Sequence, residues 1–258
     1  MRDFYHPSEP VPLDQADGLR RMFAGRRQCV IPLVANPFVG FPGVVIERLA
    51  AAIAATGRHA LVVDAADSAA AAAEMARVDL GACVERLAPD LSYLAARGLP
   101  LEYVDTRGTA AAFLDAVASA APQADVIVVH ANPSELVRLF MRRAARPIVI
   151  AADHPEGIKH AYAAVKLFAQ RCALMTYDLL IAAAAGSPRL GQLAASLSGC
   201  ADNFVGSLQR DWAVVDPASD PMQPLPAALQ RLVDGQLALD AAVTVPPAAV
   251  DRRAGAYA

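Results

Sequence analysis

The chain has 258 residues, 55% of them hydrophobic and 19% charged, with a formal net charge of −3. That composition supports one large core and excludes a disordered chain or a disulfide-stapled miniature. The mild acidity gives no electrostatic reason to expect nucleic-acid binding, and no uncharged apolar run reaches the ~18 residues a membrane span needs.

Residues 1–13 (MRDFYHPSEPVPL) are Pro-rich, predict a flexible segment, and lack the apolar run of a signal peptide. Asp14 is a good N-cap, and Ala16, Leu19, Met22 and Phe23 recur at helical spacing, so a helix is expected over 14–24, ending near Gly25. Spacing alone leaves open whether that helix docks on its own domain or is offered to a partner.

From Cys29 to Asp64 the order reads strand, loop, helix, turn, strand. Val30 to Val34 is a short apolar run of the kind buried on both faces of a parallel sheet. A loop with Pro and Gly follows (residues 35–43), then helix formers from Val44 to Thr56, with Gly57 as C-cap. Ala60 to Val63 is the next strand, with Asp64 at its carboxyl end. This is the opening βαβ unit of a doubly wound α/β domain with a mostly parallel sheet and helices on both faces. In such folds the first loop is where phosphate binds, through glycines, a Lys and a Ser or Thr.

Between Asp64 and about Gly108 the pattern reads mostly helical. Two short helices are expected within Arg77–Arg97, broken at Ala88-Pro89, with a short strand over Leu101–Asp105. Ala110–Ala121 predicts a helix and Ala124–His130 a strand. Ser134–Arg143 is a helix, and Arg138, Arg142, Arg143 and Arg146 at its end read first as a solvated face. Arg146–Ala152 is a strand, and a helix opens near Pro155. Asp153, His154 and His160 carry metal-ligating groups, but the two histidines, six apart, fall on different helix faces. Tyr177–Ala185 (strand), Ser187–Phe204 (helix), Trp212–Pro217 (strand) and Leu225–Leu239 (helix) complete the domain. Three segments result: an N-terminus over 1–26, an α/β domain over 27–244, and a flexible tail over 245–258. Cys29, Cys83, Cys172 and Cys200 form no close pair and are expected as buried thiols in a reducing cytoplasm.

Several of these segments resemble the MinD/ParA family of P-loop ATPases. Leu49-Ala50-Ala51 and Leu61-Val62-Val63-Asp64 match it without a gap, and Pro155-Glu156 through Ala161-Tyr162 and Trp212 through Pro217 resemble later stretches of it. On that alignment Pro37 stands at the family's signature Lys, Pro42 at its phosphate-binding Lys and Gly43 at its magnesium Thr. His130 replaces a magnesium-site carboxylate, alanines replace the adenine-reading Asn, and the first Lys in the chain is Lys159. Asp14, Gln15, Ala16, Leu19 and Arg20 further resemble the N-terminal activator motif of the FlhG (FleN, YlxH) regulators of flagellar number and placement.

The resemblance implies a partner, an SRP-type GTPase of the FlhF kind, whose GTP hydrolysis the helix would stimulate, with other flagellar proteins as further partners. Asp14, Gln15, Ala16, Leu19, Arg20, Met22 and Phe23 are its expected contacts. The lost positions imply a degenerate ATPase with no catalytic residues, no metal site and no cofactor. The other readings are an atypical ATPase, holding ATP and magnesium with Asn36, Gly40, Gly43 and Asp64, and a scaffold that pairs with an intact homologue. A cytoplasmic protein is expected, recruited to the cell pole or membrane through a partner, since the tail lacks the basic amphipathic helix by which relatives touch membranes directly.

Overall fold

A computed structural model describes residues 28–141, 143–184, 186–220 and 222–243. The helix expected over 14–24 and the tail expected over 245–258 lie outside them. The eight strands are β1 (Cys29–Val34), β2 (Ala60–Asp64), β3 (Glu85–Ala88), β4 (Leu91–Ala95), β5 (Val126–Ala131), β6 (Ile148–Ala152), β7 (Thr176–Ala182) and β8 (Leu208–Val215). They form one sheet in the order β3-β4-β2-β5-β1-β6-β7-β8. Every pairing is parallel except β3 with β4. The doubly wound α/β reading of the sequence holds.

The helices are α1 (Pro42–Ala54), α2 (Leu99–Glu102), α3 (Ala111–Ala120), α4 (Pro133–Phe140), α5 (Pro155–Cys172), α6 (Leu190–Val205) and α7 (Ala227–Val243). Sheet residues alternate between two buried clusters. Leu61, Ile127, Val149 and Leu179 meet α3, α4, α5 and α6 on one face. Ile31, Val62, Val128 and Ile150 meet α1 and α7 on the other. Strands packed on both faces need apolar residues at every position, which explains their continuous runs. At Gly157, in the first turn of α5, an added Cβ would sit 3.0 Å from the Ala152 Cβ, so only glycine lets this helix approach β6 so closely.

The stretch expected to be mostly helical is not. Glu74–Arg77 and Gly81–Cys83 are single 3-10 turns, and β3 and β4 form an antiparallel hairpin around Pro89-Asp90. Leu and Ala favour helix over this segment, but burying Leu94 against β2 outweighs that weak preference. The strand expected over Leu101–Asp105 is instead the single-turn helix α2 and a following turn. The thiols also differ from expectation: Cys29 is buried, Cys83 and Cys172 are half-buried, and Cys200 is exposed. Arg146, read as part of a solvated face, is mostly covered and paired with the fully buried Asp178 at 2.8 Å. Among the described residues no helix is long and apolar enough to cross a membrane.

Candidate functional site

The carboxyl ends of β1, β2, β5 and β6 lie side by side, and this is where a doubly wound sheet binds ligands. The loop from β1 to α1 is fixed from below by Asn36, which is 5% exposed. Its Nδ2 donates to the carbonyls of Ile150 (2.9 Å) and Gly157 (2.8 Å), while its Oδ1 accepts the Phe38 amide at 3.1 Å. His160 Nε2 donates to the Ala35 carbonyl at 3.2 Å, and its ring meets Phe38 edge-on at 6.2 Å. The loop is thus bolted to β6 and α5 by side chains, with Asn36 at the centre.

Its outer surface has little that would hold a phosphate. Pro37 and Pro42 have no amide to donate. The amides of Phe38, Val39 and Val44 are all spent within the loop. Gly40 and Gly43 face open space, where an added Cβ meets nothing within 4 Å. Between them Phe41, 77% exposed, adopts a left-handed backbone (φ 53, ψ 53) as the N-cap of α1 and makes no side-chain capping bond. L residues other than Gly and Asn rarely accept that conformation, so the turn is strained.

Asp64 and His130 are register partners on β2 and β5 and point into the α1 side of the sheet. The buried His130 donates Nδ1–H to Asp64 Oδ1 at 2.8 Å, while its Nε2 has no hydrogen-bond partner among the described residues. The same Asp64 oxygen accepts the Ala66 amide at 3.3 Å, which caps the turn after β2. Tyr93 on β4, the register neighbour of Val62, also feels this carboxylate. Burial first, and then the Asp64 charge, push the Tyr93 phenol above its usual range. On the first turn of α4, burial raises the Glu135 carboxyl, and the charge of Asp67 raises it further. Asp64, Asp67 and Glu135 therefore gather acidic groups at this end of the sheet, with His130 turned inward.

A magnesium triphosphate fits these residues poorly. The nearest-numbered Lys, Lys159, is exposed and paired with Glu156 at 2.7 Å. Without a cation the acidic groups would repel phosphate. Asp153, His154 and His160 do not converge either: Asp153 accepts from Ser187 at 2.7 Å, His154 accepts the Glu156 amide to cap α5, and His160 serves the β1–α1 loop. No cluster of three or more His, Cys, Asp or Glu able to hold a metal occurs among the described residues.

Of the sequence-derived candidates, Asn36, Gly40, Gly43 and Asp64 are brought to one end of the sheet. Asp14, Gln15, Ala16, Leu19, Arg20, Met22 and Phe23 lie outside the described residues. Sequence reading missed Tyr93 and Phe41. The signal for Phe41 was there, since an aromatic between Gly40 and Pro42 has no helix or strand to bury it.

The architecture is that of the ParA and MinD ATPases. A ParA family ATPase from Chlorobium tepidum superposes with a TM-score of 0.54 at 15% identity, over 83% of this chain and 99% of that one. The MinD cell division protein of Aquifex aeolicus gives 0.54 at 10% identity, over 81% and 96%. A plasmid partition protein from Borrelia burgdorferi, bound to AMPPNP, gives 0.55 at 11% identity, over 84% and 99%. Identities this low establish the fold alone. No protein-family model and no curated protein matches the sequence.

Proposed function

We propose that this chain is a regulatory binding protein on a ParA/MinD-type scaffold: an FlhG-like regulator of flagellar number or placement whose nucleotide site is degenerate. The observation that carries the first half is the β1–α1 loop. A working phosphate loop spends its amides and a Lys on the ligand. Here Asn36 and His160 spend the loop's polar groups on the protein itself, Pro37 and Pro42 stand at the lysine positions, and Asp64 is engaged by His130. Losing the Lys and the magnesium contacts together removes most of the electrostatic stabilisation on which phosphoryl transfer rests.

The second half is supported by the sequence of the N-terminal segment. Asp14 would cap its helix, Ala16 would permit close approach, and Leu19, Met22 and Phe23 would dock in a groove of an SRP-type GTPase of the FlhF kind. Arg20 would lie at the rim of that contact. The Gln15 amide could orient the attacking water beside the γ-phosphate, as glutamines do in other GTPases. Two measurements test the reading. Isothermal titration with ATP·Mg²⁺ should show no binding, and clear micromolar binding would favour the atypical ATPase instead. A peptide of residues 8–26 should accelerate GTP hydrolysis by the cognate GTPase, with Gln15→Ala costing stimulation more than affinity. If a chain lacking residues 1–26 stimulated as well as the full chain, the activator reading would be wrong.

A further inference from the structure

At the end of the sheet away from the β1–α1 loop, where β1, β6 and β7 begin, the surface opens into a cleft of about 700 Å³. Val30, Leu174, Met175 and Leu239 are its apolar lining, beside the polar Arg143 and Thr176. The apolar surface continues outward over Met175, 41% exposed, to the exposed Leu208, whose amide donates to the Met175 carbonyl at 2.8 Å. Large apolar side chains left in water beside a cleft mark a candidate binding face.

Where the chain enters identifies the occupant. Gln28 lines this cleft and is pinned there by its Nε2, which donates to the Ala121 carbonyl at 2.7 Å. Phe23 precedes Gln28 by five residues, so even a fully extended connection keeps it within about 18 Å of the cleft. Residues 14–24 carry one apolar stripe, Ala16, Leu19, Met22 and Phe23, at the spacing of a single helix face. The other chain end also starts near this cleft, because Gln236 and Leu239 of α7 line it. The tail beyond α7 holds Pro246-Pro247 and no such stripe. A tethered amphipathic segment meets the cleft at a high effective concentration, which a free partner does not.

We infer that this cleft seats the chain's own residues 14–24, with Leu19, Met22 and Phe23 against its apolar lining. The docking itself is independent of the activator reading; only its consequence rests on that reading. The stripe that would contact a GTPase is then covered until the segment is released, so a partner competes with the cleft for the same side chains.

Hydrogen–deuterium exchange on the full chain tests the docking, with Met175→Glu and Met175→Leu as variants at the exposed edge of the cleft. In the parent and in Met175→Leu, amides of residues 14–24 should exchange at least about tenfold slower than their intrinsic rates; in Met175→Glu they should approach those rates. Trp212 fluorescence checks that each variant keeps its fold. Exchange at intrinsic rates in the parent would overturn the proposal. So would protection that Met175→Glu leaves unchanged in a folded protein, since the segment would then pack elsewhere. Protection that grows with protein concentration would overturn it too, by showing a second copy in the cleft. No GTPase enters the experiment, so its failure is separate from failure of the 8–26 peptide to stimulate one.

Discussion

If Asn36 is the bolt of the β1–α1 loop, Asn36→Ala should destabilise the whole domain. The residue is 5% exposed, so water cannot replace what is lost. Truncation removes two donated bonds, to Ile150 and Gly157, and one accepted from Phe38. Stranding a buried polar group costs about 1–3 kcal/mol, but the Gly157 carbonyl lies in a helix and the Phe38 amide, on an exposed residue, can find water. The sum is therefore about 2–3 kcal/mol, which for a domain of this size lowers the melting temperature by roughly 4–12 °C. Asn36→Asp should be worse, because it turns a carboxylate oxygen toward two carbonyls in a dry site. Urea denaturation is readily followed through Trp212, the chain's one tryptophan. A midpoint unchanged in Asn36→Ala, with an unchanged slope, would refute the clamp. It would also free Asn36 for the ligand role assigned to it by the atypical-ATPase reading.

Phe41→Gly should raise stability by about 0.5–1 kcal/mol in the same assay, because it relieves a left-handed backbone while losing a side chain that is mostly in water. Arg146→Met leaves Asp178 buried without its cation and should cost about 3–5 kcal/mol at neutral pH. Burial already holds the Asp178 carboxyl above its usual value of 3.8, against the pull of Arg146 and Gln236. Without the arginine the folded-state value rises further, so the folded protein binds that proton more tightly than the unfolded chain. The deficit of Arg146→Met should accordingly shrink as pH falls toward 3.8 and widen as it rises, as denaturation across pH would show. Pro42→Lys alone should give no ATP turnover in a phosphate-release assay, since Gly43 and the Asp64–His130 bond remain; groups that act as a unit are not restored singly.

The order of the elements was legible because doubly wound strands are buried on both faces: VIPLV, ALVV and VIVV announce themselves as apolar runs. The edge was not. β3 is exposed at all four positions and carries Glu85 and Arg86, so it has no apolar signature, and β4 is too short to outweigh the helix-forming residues around it. Pro89-Asp90, a strong turn pair between two short runs, was the overlooked clue. At the candidate site the losses could be read residue by residue from Pro37, Pro42 and Gly43. What replaced them could not. The bonds from Asn36 to Ile150 and Gly157 span 114 and 121 residues, and that between Asp64 and His130 spans 66. No local pattern encodes which side chain a folded loop will reach.

The place of β5 in the sheet also shapes how the chain is made. β1 and β2 are consecutive in sequence, yet β5 lies between them and pairs with both through registered partners such as Leu33, His130 and Asp64. A ribosome that has released only the first hundred residues has therefore produced β1 and the β2-β4-β3 group, but not the strand that joins them in the native sheet. β1 and the far edge of β2 stay open to neighbouring chains until residues 126–131 emerge and close the gap. At ordinary translation rates of roughly 5–20 residues per second, that exposure lasts seconds. The strand that holds His130 is thus also the one whose arrival joins β1 to the rest of the sheet and covers the edges an emerging chain leaves open.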